Sequence, residues 1–147
     1  MLDLDLGGVA SAGKPLPEGD YEFLITDATV QLSKEKTSHN LKLRLEVSSD
    51  DEAGRPHSEN LNIQKSTRPF VKAFVTALWG VEDDEVDNIS FDFDEDSDTV
   101  DAFNSGAAIT LQGINGQPVI NQTIGGTIKH VTTDGRTYGN VIAWYHV

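Results

Sequence analysis

Leu41-Lys42-Leu43-Arg44-Leu45-Glu46-Val47, LKLRLEV, is the most regular stretch of the chain. Side chains alternate between the two faces of a strand, so Leu41, Leu43, Leu45 and Val47 line one face and Lys42 and Arg44 the other. This predicts a half-buried strand. Upstream, Tyr21 to Leu32 (YEFLITDATVQL) alternates with a slip of phase. Tyr21, Phe23 and Ile25 share one side, whereas Leu24, Ala28, Val30 and Leu32 take the other after Asp27, which predicts a bulge or bend. Downstream, the polar turn SSDDEAG (48–54) leads into extended patterning from Arg55 to Ile63, completing an antiparallel hairpin.

The pattern then changes period. Ser66 or Thr67 can cap a helix with Pro69 in its first turn, and Phe70, Phe74, Ala77 and Leu78 recur at helical spacing before Gly80 ends it. Phe70, Phe74 and Trp79 are assigned to packing on this period, as are Tyr21 and Phe23 on the first strand. A short helix is expected around Asp98 to Asn104. Ala107 to Ile114, Gly125 to Thr132 and Tyr138 to Val147 read as strands, with Asn115-Gly116 and Asp134-Gly135 as hairpin dipeptides. Residues 1–19, rich in Gly, Ala and Pro, read as a flexible arm, and 20–147 as a single domain. The expected fold is mainly β: an OB-fold-like five-stranded Greek-key barrel with one amphipathic helix after the third strand, with a plain sandwich or another α+β domain as the alternatives.

Charge is distributed unevenly. The net charge is −13, but eleven of the 24 carboxylates fall between Glu82 and Asp101, and no Lys or Arg occurs from Ala73 to Ile128. Outside that segment 13 acidic residues face 11 basic ones, so a cationic face can coexist with an acidic insertion at 82–101. The absence of cysteine excludes disulfides and thiolate chemistry and fits a reducing cytoplasm. No apolar run reaches the ~20 residues of a membrane span, and MLDLDLGG lacks the pattern of a secretory signal, so a soluble cytoplasmic protein is expected.

Two motifs fall short of the sites they imitate. Gly8 to Lys14 (GVASAGK) matches the start of a phosphate-cradling loop, but Pro15 stands where a Ser or Thr should ligate magnesium and open a helix. Asp92, Asp94, Asp96 and Asp98 have the spacing of the first calcium-loop ligands, yet Ser97 replaces the turn glycine and Phe103 the bidentate Glu. His39, His57, His130 and His146 are scattered, with neither a nucleophile elbow nor a paired metal motif. No enzyme, metal or cofactor is expected.

LPEGDYEFLITDATV (16–30), HNLKLRLEV followed by GRPHSENLNI (39–63), a helix ending at Trp79-Gly80 and the closing DGRTYGNVIAWYHV (134–147) together resemble a family of small OB-fold single-stranded-DNA-binding proteins encoded by bacteriophages. The resemblance implies sequence-independent binding of single-stranded DNA in phage replication or recombination, in the host cytoplasm. It implies a binding face on the second and third strands and the first and fourth inter-strand loops. Candidate contacts are Lys34, Lys36, His39, Lys42, Arg44, Arg55, His57 and Lys65 for phosphate, with Tyr138 and Trp144 for base stacking. The acidic segment would recruit a basic replication protein or compete for the groove, and the last strand offers an edge to a second copy. The alternative expectation is a β-rich protein-interaction or virion-structural module with an acidic docking surface.

Overall fold

The computed structural model describes residues 15–33, 38–49, 51–64, 68–86 and 88–147. Strands β1 (Gly19–Leu32), β2 (His39–Val47) and β3 (Pro56–Ile63) form an antiparallel meander. Helix α1 (Arg68–Trp79) follows. The acidic segment then supplies a 3-10 turn (Asp83–Glu85), strand β4 (Phe91–Asp92) and helix α2 (Ser97–Asn104). Short strands β5 (Ile109–Thr110), β6 (Gly113–Ile114) and β7 (Gln117–Pro118) lead to the long hairpin β8 (Thr123–Thr133) and β9 (Arg136–Tyr145).

The main sheet runs β3-β2-β1-β8-β9, with β5 also paired to β1, and a second sheet runs β4-β6-β7. Every pairing is antiparallel. The sheet curls around its core until the free edges of β3 and β9 face each other: the Val141 amide donates to Glu59 Oε1 at 2.7 Å.

The expected bulge in β1 lies between Ile25 and Asp27. It shifts the parity so that Tyr21, Phe23 and Ile25 before it and Ala28 and Val30 after it all reach the core, while Leu24 and Leu32 stay half-buried. Alternation alone sets the two groups on opposite sides; the extra residue at the bulge brings them to one. On β2, Leu41, Leu43, Leu45 and Val47 are buried, each side chain contributing roughly 1.5–3 kcal/mol of gross burial energy.

Helix α1 covers the open end of this core with Val71, Phe74, Val75 and Leu78, and ends where Gly80 N donates to Thr76 O at 2.9 Å. Phe70 corrects the expectation: it is 65% exposed, because the helix buries the stripe through Val71 and Phe74 and turns Phe70 away from it. The candidate caps Ser66 and Thr67 lie outside the described residues.

Two further departures concern boundaries. The arm assigned to 1–19 overlaps the core, since Leu16 is fully buried, Tyr21 OH donates to Pro17 O at 2.6 Å, and the Glu18 carboxylate accepts from His130 N at 2.8 Å. The strand expected at 107–114 is divided, because Ile109–Thr110 pairs with β1 whereas Gly113–Ile114 belongs to the second sheet.

The β8–β9 hairpin turns on Asp134 and Gly135, both at positive φ (53° and 77°), as a two-residue turn of the favoured hand requires. Near its base the Tyr145 ring lies across Gly125, where any Cβ would collide with it, and its phenol donates to Tyr21 O at 3.0 Å. Desolvation by the surrounding packing, and then the nearby carboxylates Asp20 and Glu22, raise the pKa of that phenol. No described helix is long and apolar enough to cross a membrane.

Candidate nucleic-acid interface

Because the even positions of β2 point away from the core, Lys42 and Arg44 are exposed on the outer face of the sheet. Register places Thr29 opposite Lys42 on β1, and Asn60 and Ser58 opposite Lys42 and Arg44 on β3. Thr29, Gln31, Asn40 and Asn60 join the two cations around a trough of about 510 Å³, walled on one side by Ala108. The Gln31 amide donates to Gly106 O at 2.6 Å and fixes that wall. Asp27, beside Arg44 in register, is the one carboxylate among the described residues lining the trough. Such a surface can hold phosphates through its cations and hydrogen-bond bases or sugars through its amides and hydroxyls.

A second concavity, of about 830 Å³, lies where β3 begins and the β8–β9 hairpin projects beyond β1. Tyr138, 47% exposed, and Arg136 are two residues apart and share a face of β9, opposite Val131 and Thr133 of β8. Ser58 lines this concavity and pairs with Arg44, which lines the trough. The two hollows therefore adjoin across the polar outer side of β3.

The remaining candidates are placed elsewhere. His57 faces inward with the odd residues of β3, its side chain 10% exposed: its ring stacks on Phe23 at 5.9 Å and its Nε2 lies 2.7 Å from Glu59 Oε1. It borders the second concavity from inside and is not on the face of Lys42 and Arg44. His39 opens β2 with its ring stacked on Phe103 at 5.9 Å and tilted against Phe91, so the acidic segment covers it. Arg55 sits in the β2–β3 turn, bonded to Glu52 at 2.6 Å. Trp144 packs edge-on against Phe74 of α1 at 5.2 Å, which occupies the ring expected to stack on bases. Lys34, Lys36 and Lys65 lie outside the described residues.

Sequence reasoning missed the neutral lining and Arg136. The outward parity of β3 (Ser58, Asn60) was available as a signal, and so was the position of Arg136 between a hairpin turn and an exposed Tyr. Two of the aspartates with calcium-like spacing, Asp92 and Asp96, serve the fold. Asp92 accepts from Gly116 N at 2.6 Å, and Asp96 caps α2 by accepting from Thr99 N at 2.8 Å and Thr99 Oγ1 at 2.9 Å. Those bonds hold the Asp96 carboxyl below its ordinary pKa, the Thr99 amide contributing most. No cluster of three or more metal-ligating side chains occurs among the described residues. In comparison with known proteins, no family model matches the chain and no curated protein matches its sequence.

Proposed function

We propose that this chain binds single-stranded DNA without sequence preference, as an OB-fold protein of phage replication or recombination acting in the host cytoplasm and doing no chemistry of its own. The order of elements supports the barrel reading: a three-strand meander, a helix after the third strand, and a final hairpin whose first strand returns beside β1. The observation that carries the binding reading is the exposed Lys42–Arg44 pair in a trough of amides and hydroxyls, adjoining a hairpin that presents Arg136 and Tyr138. Phosphates would follow the three cations, and one base would stack on Tyr138.

The deciding experiment titrates a labelled poly-thymidine oligonucleotide and a matched duplex, following anisotropy at several salt concentrations. Replacing Lys42 and Arg44 together by Ala lowers the single-strand salt slope by about 1.4, since each lost phosphate contact removes about 0.7. An unchanged slope refutes this placement of the groove.

A second reading, a protein-interaction or virion-structural module, is favoured by one observation. Phe70 and Ile142, 65% and 57% exposed, flank an apolar groove between β3, β9 and α1. Failure to bind either oligonucleotide at low salt would transfer the function to that groove.

A further inference from the structure

A third hollow, of about 650 Å³, lies between the start of α1, the end of the β2–β3 hairpin and the acidic segment. It is separate from the trough, because His39 borders it whereas Asn40 and Lys42 border the trough on the opposite face of the sheet. Its volume is in the range of small-ligand sites. Ile63, Val71, Val86, Ile89 and Phe91 make its walls apolar.

Arg68 and Lys72 also line it, four residues apart on α1 and hence on one side of the helix. Among the described residues neither forms an ion pair, although the chain carries a net charge of −13. The acidic segment turns only neutral described residues toward this cleft: Val86, Asn88, Ile89 and Phe91. Two cations over an apolar floor, with no carboxylate among the described lining residues, complement an anion that has an apolar body.

We propose that this cleft binds a small organic acid, its carboxylate held between Arg68 and Lys72 and its apolar part against Ile63, Val86, Ile89 and Phe91. The guanidinium fork of Arg68 matches a carboxylate with two parallel hydrogen bonds, and Lys72 adds a point charge. The site is independent of the DNA-binding reading and does not stand or fall with it.

The test uses the full chain with 8-anilinonaphthalene-1-sulfonate as a fluorescent apolar anion, displaced by octanoate or by neutral octanol. Octanoate displaces the probe at a concentration roughly tenfold below that of octanol, as expected when a charge-assisted hydrogen bond separates the two. The double variant Arg68→Ala/Lys72→Ala loses this difference, and Ile89→Trp, which fills the cleft, loses probe binding. In the unaltered chain octanoate also shifts the amide resonances of Val71, Asn88 and Phe91, a readout that does not depend on any variant folding. Equal displacement by octanoate and octanol, or an unchanged difference in the double variant, overturns the proposal. Displacement by a peptide ending in a free Phe carboxylate, with none by octanoate, also overturns it and gives the cleft to a protein partner.

Discussion

Replacing Glu59 by Ala tests how the curled sheet is held shut. The strands β3 and β9 are the two ends of the main sheet, and a carboxylate oxygen bridges them: Glu59 Oε1 accepts from Val141 N at 2.7 Å and lies 2.7 Å from His57 Nε2. The side chain is 11% exposed, so water cannot readily replace it. Truncation leaves two donors short of an acceptor, at about 1–3 kcal/mol each, giving a total of roughly 2–5 kcal/mol after allowing for partial rehydration. In a chain of this size that corresponds to a fall in Tm of roughly 5–15 °C. Glu59→Gln keeps an oxygen for one donor and should lose about half as much. Urea denaturation with an unchanged m-value gives the energy, and hydrogen exchange at the Val141 amide localises it. A loss below about 0.5 kcal/mol, the range of ordinary surface changes, would refute the claim that this carboxylate closes the seam. Slow, unchanged exchange at Val141 would refute it equally.

Three other predictions concern separate parts of the molecule. Tyr138→Ala should weaken oligonucleotide binding by about 1–3 kcal/mol while leaving the salt slope unchanged, because a stacking ring carries no charge; a change in slope without loss of affinity would contradict its role. Phe74→Ala, removing a fully buried ring that also supports Trp144, should cost about 3–5 kcal/mol in a denaturant titration, whereas Phe70→Ser on the same helix should stay within about 0.5 kcal/mol. Asp96 and Glu18 have folded-state pKa values below their ordinary ones, through bonds from Thr99 N and His130 N. Their stabilising contribution is therefore complete above the unfolded-state values near pH 4 and is lost as pH falls through the folded-state ones. Asp96→Asn should flatten the decline of the urea midpoint between about pH 5 and pH 2, and an identical decline would refute the assignment.

How far the sequence revealed this structure depended on whether a period was present. LKLRLEV determined both faces of β2, and the outward positions it gave are those of the trough. The slip at Asp27 located the bulge but not its effect, because parity alone cannot show that an extra residue returns both halves of β1 to one core. Segment 107–114 looked like one strand because two short pieces serving different sheets are indistinguishable from a single apolar run. His57, a histidine among cations, resembles a phosphate ligand in the sequence, yet it occupies an inward position that pairs with Leu45. Its partner Glu59, two residues on, shares that face and could have identified it. Trp144 and Tyr145 are neighbours on alternate sides of β9, and the contact that turns Trp144 inward, Phe74 on α1, is distant in sequence. Arg136 belongs to no alternating apolar run: it lies beside the Asp134-Gly135 turn, at the hairpin tip that borders the second concavity.

The Tyr145 ring lying across Gly125 constrains how this chain can diverge. No side chain fits at position 125 while the ring remains, and the ring's phenol also ties β9 to the backbone of β1 through Tyr21. Substitution at either site alone leaves a clash or a hole, so the two should be inherited as a unit. A relative with alanine at 125 should carry a smaller residue at 145 and hold that corner of the sheet by another bond.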